Sequence, residues 1–216
     1  MSARVKAKKA AIRAETELIN QKRAQIAECE KLEDPLSLVP MFKKFNKNGL
    51  NVDVSALNKC PEEFEEWAFQ LIEKNMKAIY EETWGWNPDS KEAELLDESA
   101  RFLFAYNSEN QPVGFVHYRF EFDNLETKSF IYDIQLEEEF QGKGLGKFLL
   151  QAVEFITLKL KLDCVMTTLF KENVKGRGFF KHMHYQVHKT SPALMDPENE
   201  HEYDHEILYK PLVKKT

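Results

Sequence analysis

The six residues Gln141-Gly142-Lys143-Gly144-Leu145-Gly146 put three glycines directly ahead of an amphipathic helix marked by Phe148, Leu149, Val153, Ile156 and Leu160. Glycine at a strand-to-helix turn lets backbone N–H groups approach a phosphate, and the helix N-terminus adds roughly half a positive charge. The expected chemistry is the cradling of a pyrophosphate; an ordinary glycine turn is the plainer reading. Neither the G-x-G-x-x-G spacing of a dinucleotide fold nor the G-x-x-x-x-G-K-[ST] of a P-loop is present. Glu121 and Asp123, two apart on a predicted strand, present two carboxylates on one face, suited to a guanidinium or an ammonium.

The surrounding pattern has to position these groups. Residues 2–33 lack Gly and Pro and carry Ile12, Ile19 and Ile26 at heptad spacing, which predicts one amphipathic helix stopped by Asp34-Pro35. Its first third is basic (Arg4, Lys6, Lys8, Lys9, Arg13), fitting a nuclear-import or ribosome-contact element or simply a solvated face. Leu36 to Leu57 read as an irregular connector with a turn at Asn48-Gly49. A second helix runs from Pro61 to about Glu82 on a stripe of Phe64, Trp67, Ala68, Leu71, Ile72 and Ile79, and the segment from Tyr80 to Trp86, YEETWGW, ends it. Strands are predicted at 101–106, 113–122 and 129–136 as an antiparallel meander. Helix 145–160, strand 164–170, helix 173–183 and strands near 185–189 and 205–209 follow. This α/β (α+β) order predicts a mixed, mostly antiparallel sheet flanked by helices, with the first 33 residues as a helical extension of a domain over 34–216.

Composition narrows the function. The chain has 216 residues, 43% of them hydrophobic, enough for one sizeable core. Its formal charge of −6 argues against sequence-independent nucleic-acid binding and for a basic peptide as partner. Cys29, Cys60 and Cys164 form neither a disulfide framework nor a zinc pattern, so no metal is expected. A charged N-terminus and the lack of a long apolar run predict no export signal and no membrane span, hence cytoplasm and nucleus.

The glycine loop, with the meander before it and β-α-β after it, resembles the Q/R-x-x-G-x-G/A loop of the Gcn-related N-acetyltransferase (GNAT) superfamily, where it holds the pyrophosphate of acetyl-CoA. Further matches resemble the NatD-type N-terminal acetyltransferases: DPLSLVPMFKKFNKNGLNV (34–52), WAFQLIEKNM (67–76), Tyr80 with WGW, HYRFEF (117–122), YDIQLEEEFQGKGLGKFLLQ (132–151) and FKEN (170–173). That resemblance implies acetylation of the free α-amine of histones beginning Ser-Gly-Arg-Gly, by one catalytic chain without an auxiliary subunit.

Site roles follow from the resemblance. Backbone groups of Ile134, Gln135 and Leu136, beside an opening between parallel strands, and the loop Gln141, Gly142, Lys143, Gly144, Leu145, Gly146 and Lys147 would hold the coenzyme. Asn173 would help, and it could equally be a helix N-cap. Asp133 stands where the NatD pattern has Glu and would take the amine proton, directly or through water, with Tyr132 beside it. Both reach one site only if the strand is bulged; otherwise Asp133 is a solvent-facing carboxylate. Phe130 and Phe180 stand where relatives carry tyrosines, leaving thiolate protonation to Tyr132 or solvent. A backbone N–H near Ile134 would bind the oxyanion. The Glu121-Phe122-Asp123 segment would receive the substrate arginine or ammonium. Tyr80 and Trp84 would line the N-terminal residue's pocket, with Trp84 and Trp86 as core residues the alternative. Thr168 would bond the peptide backbone, and His205, or else Tyr203, would complete the wall. Two rivals remain: a lysine or polyamine acetyltransferase, and a non-catalytic coenzyme- or histone-binding module.

Overall fold

Eight strands form one sheet in the order β1-β2-β3-β4-β5-β6-β8-β7 in the computed structural model, which describes residues 3–212. Residue 2 and residues 213–216, included in the expected helix and domain, lie outside the described residues. The strands are β1 (Lys44–Lys47), β2 (Leu50–Leu57), β3 (Arg101–Tyr106), β4 (Pro112–Asp123), β5 (Glu126–Leu136), β6 (Cys164–Phe170), β7 (Gln186–Val187) and β8 (His205–Pro211). The helices are α1 (Ala3–Glu30), α2 (Glu65–Glu82), α3 (Pro88–Leu95), α4 (Leu145–Lys159), α5 (Val174–His182) and the short α6 (Pro192–Met195).

Apolar residues on the two sheet faces make two cores. Phe102, Phe104 and Phe115 pack with Leu71 and Ile72 of α2 and Leu95 of α3. On the other face Val116, Tyr118 and Ile131 pack with Leu149, Val153 and Ile156 of α4 and with Ile26 and Cys29 of α1. The stripe of α1 is only partly used: Ile26 is buried, whereas Ile12 is exposed. Among the described side chains of α1, those before Ile19 are exposed, so the covered part is its C-terminal half. Lys22 anchors it to Asp163 at 2.6 Å, and Gln25 Nε2 donates to the Leu160 carbonyl at 3.0 Å.

The expected irregular connector contains a hairpin. Asn48 and Gly49 both take positive φ, 54° and 78°, the turn whose twist matches a two-residue strand reversal. Phe45, Val52 and Val54 supply its buried side. A short helix, α3, was also not expected; the Asn87 side chain caps it by accepting from the Ser90 N–H at 3.0 Å, with Pro88 in its first turn.

Among the described residues every strand pairing is antiparallel except β5 with β6. Their parallel ladder joins Lys128–Ile131 to Cys164–Thr167 and then stops, although β5 continues to Leu136 and β6 to Phe170. The strands diverge there, leaving backbone groups along each inner edge without a ladder partner.

Candidate active site

A cavity of about 590 Å³ opens where β5 and β6 part. Its coenzyme end is built by Ile134, Gln135 and Leu136 on β5 and by Gln141, Gly142, Gly144, Gly146 and Lys147 ahead of and within α4. Gly142 and Gly144 have φ of 69° and 89°, a backbone region that side chains rarely enter, so the loop's course depends on glycine there. The first-turn amides of α4 lack intrahelical acceptors by geometry and face an anion with the positive end of the helix dipole. Lys147 and Lys175 add cationic charge at the same rim.

Two residues of the expected coenzyme loop do not line the cavity. The Leu145 side chain is fully buried in the α4 core, so only its backbone is available. Lys143 does not line the cavity; its carbonyl accepts from Asn48 Nδ2 at 2.9 Å, which ties the glycine loop to the β1–β2 turn. Gln141 braces the loop by donating to the Leu136 carbonyl at 3.0 Å. Asn173 is indeed the cap of α5, accepting from the Gly176 N–H at 2.8 Å, and it lines the cavity as well.

The strand bulge is present. Register runs His117↔Asp133 and then Tyr118↔Ile131, leaving Tyr132 as the extra residue of β5. Ile131 and Ile134 therefore share the α4-side core although three apart, while Tyr132 and Asp133 between them both face α2 and α3. Asp133 is buried rather than solvent-facing. Its Oδ1 accepts from Gln135 Nε2 at 3.0 Å, and its Oδ2 lies 3.6 Å from Lys91 Nζ and 4.0 Å from His117 Nδ1.

Lys91, Glu94 and His117 were not legible as site residues. Lys91 Nζ also contacts Glu94 Oε1 at 2.5 Å and sits 5.2 Å from the Tyr80 ring centroid. Burial opposes its charge, but Asp133 and Glu94 outweigh burial and raise its pKa above the usual lysine range, so the ammonium persists. Glu94, His117 and Asp133 each offer an atom within 4.8 Å of the others, an arrangement a cation could use; the positive charge beside Glu94 and Asp133 is Lys91's. His117 is stacked between Phe102 and Tyr132, and burial pushes its pKa down to about 4, leaving it neutral at pH 7. Tyr132 is held by stacking on His117, by the Arg119 guanidinium 4.2 Å from its ring centroid, and by its hydroxyl donating to Glu121 Oε1 at 2.9 Å. Burial, then the Glu121 charge, pushes the phenol pKa up, so it keeps its proton.

At the acceptor end Tyr80 and Thr168 line the cavity, together with Asn75 and Met76 of α2. Trp84 and His205 do not line it; they stand beyond Phe170, which does. Trp84 is 56% exposed and donates to Asp204 Oδ1 at 3.0 Å, whereas Trp86 packs on the α2 core with Phe69 and Tyr80. The same Asp204 oxygen lies 2.9 Å from His205 Nδ1, and the Tyr203 hydroxyl is turned away to Asp196 Oδ2. Glu121 and Asp123 share a face, but Phe122 between them packs into the α4-side core. Its side chain is therefore not an acceptor contact, since strand neighbours point to opposite faces. Phe180 is likewise buried against Tyr185 and offers no hydroxyl for a leaving thiolate.

Residues 63–185 match the family described as Acetyltransferase (GNAT) family. The chain belongs to that family. Solved structures similar to this GNAT acetyltransferase include the PaiA N-acetyltransferase from Thermoplasma acidophilum in complex with coenzyme A, with a TM-score of 0.54 and 18% identity over 74% of this chain and 98% of that one. The ribosomal-protein-S18-alanine N-acetyltransferase from Escherichia coli is similar at a TM-score of 0.54 and 11% identity, over 76% of this chain and 96% of that one. These likenesses establish the GNAT fold, and the family makes the chain an acetyltransferase that uses acetyl-CoA.

Proposed function

We propose that this GNAT enzyme acetylates the α-amine of protein N-termini, those of histones beginning Ser-Gly-Arg-Gly, with acetyl-CoA as donor. The observation that carries this reading is the hydrogen bond from Tyr132 to Glu121, which joins an acidic strand face directly to the bulge that holds Asp133. A cationic side chain near an N-terminus can rest on Glu121 and Asp123 while the amine reaches the cavity under Tyr80.

The residues present fit the coenzyme: the glycine loop is open above Gly142, where an added Cβ would meet nothing within 4 Å, and the first-turn amides of α4 face the same space. Acetyl-CoA supplies an activated thioester. This chain's part is to orient and to move protons. An α-amine has a pKa near 8, so removing its proton at neutral pH needs only a modest base, and Asp133 takes that proton directly or through one water. Backbone N–H groups of β5 at its unpaired edge near Ile134 stabilise the developing oxyanion. The leaving thiolate is protonated by solvent or through the Tyr132 hydroxyl, and the proton that Asp133 takes from the amine balances the one given up. One chain carries all these groups, without an auxiliary subunit. Cytoplasm and nucleus, including the ribosome, are the compartments where such N-termini are met.

Transfer of labelled acetyl groups to a Ser-Gly-Arg-Gly peptide is expected to exceed transfer to the same peptide with Ala for Arg by roughly tenfold in kcat/KM, the scale of one charge-assisted contact. Equal rates would contradict the role of the acidic pair.

A further inference from the structure

The acidic pair is already engaged by a cation from the same hairpin. Lys128 lies directly across from Glu121 in the β4–β5 ladder. Its Nζ is 3.4 Å from Asp123 Oδ2 and 4.0 Å from Glu121 Oε2, and 5.7 Å from the Phe130 ring centroid. Lysine is almost never fully buried unless paired, yet the side chain of Lys128 is only 6% exposed. Its stem is held down on the sheet while its ammonium stands over the two carboxylates. Glu121 meanwhile gives its other oxygen to the Tyr132 hydroxyl, and Asp123 accepts from Asn124 Nδ2 at 2.7 Å.

We propose that Lys128 is a specificity-determining residue: its ammonium occupies the acidic subsite in the resting enzyme, and an acceptor's cationic side chain must displace it. The inference rests on the reading of Glu121 and Asp123 as the acceptor's cation site. A lysine or polyamine arriving there exchanges one ammonium for another and gains little. A guanidinium offers a planar fork to two carboxylates and is more weakly hydrated, so it gains from the exchange. Lys128 thus raises the threshold for every cation but raises it most for those that resemble itself. Discrimination is built by disfavouring the competitor rather than by adding contacts to the preferred acceptor.

The test uses the full chain with Lys128→Met, which keeps the stem and removes the charge, and Lys128→Arg, which keeps the charge and adds a fork of its own. Peptides beginning Ser-Gly-Arg-Gly, Ser-Gly-Lys-Gly and Ser-Gly-Ala-Gly are compared by KM and kcat/KM, with Tm measured for each variant. In Lys128→Met, KM for the arginine peptide is expected to fall by roughly fivefold, the scale of one partly screened charge pair, and more for the lysine peptide, narrowing the Arg:Lys ratio. In Lys128→Arg, KM for both cationic peptides is expected to rise. A KM that rises in Lys128→Met together with a lower Tm would overturn the proposal, leaving Lys128 as a structural tie between β4 and β5. An unchanged Arg:Lys ratio would overturn it too. If the native enzyme gives the arginine and alanine peptides equal KM, the acidic-pair reading itself fails, a result separable from either outcome in the variants.

Discussion

Asp133→Asn is expected to lower kcat by about 10²- to 10⁴-fold, the range of a removed general base, while coenzyme A still binds. The substitution is close to isosteric and leaves the bulge intact, so the amide can still meet Gln135 while losing the ability to accept the amine's proton. The phosphate-cradling part of the cavity is the glycine loop and α4, whereas the groups nearest Asp133 are Gln135, Lys91 and His117. Steady-state kinetics with a calorimetric titration of coenzyme A separates the two effects. An unchanged kcat would remove Asp133 from the reaction, and lost coenzyme binding would show that the substitution had disturbed the sheet.

Lys91→Met is expected to cost about 3 to 5 kcal/mol, because it leaves Asp133 and Glu94 without the ammonium between them. For a chain of this size that corresponds to a fall in Tm of roughly 10 °C. The pH dependence gives the sign. Burial already raises the pKa of Glu94 with Lys91 beside it, and losing that cation raises it further above the unfolded value. A folded pKa raised in this way stabilises the fold below the unfolded pKa and loses that contribution as pH rises through the folded one. The deficit of the variant is therefore expected to be largest near neutral pH and to shrink toward pH 5. Thermal melts of both proteins across that range check it, and a pH-independent deficit would show that the cost is lost packing.

Local signals carried much of this architecture. β3 and β6 match the apolar runs Arg101–Tyr106 and Cys164–Phe170, and the glycine loop announces itself because loop and helix are contiguous in sequence. The β1–β2 hairpin was hidden because its alternation rests on Phe45, Val52 and Val54 amid Lys, Asn and Asp, leaving only the turn visible. The polar α3 was hidden because its packing face is little more than Leu95, the buried stem of Lys91 and two capping residues. The charged cluster at Asp133 joins α3, β4 and β5 and depends on a bulge, so no spacing along the chain reveals it. Phe122 is the opposite case: strict two-residue alternation places it away from Glu121 and Asp123, and the sequence held that information.

The central claim is transfer to an α-amine rather than to a lysine side chain. Its most direct test is mass spectrometry of a Ser-Gly-Arg-Gly-Lys peptide after incubation with the enzyme and acetyl-CoA, beside the same peptide with its α-amine blocked. Acetylation on the N-terminal serine nitrogen of the free peptide, and none on the blocked one, is the predicted result. Acetyl-lysine in the blocked peptide would contradict it and make this chain a side-chain acetyltransferase.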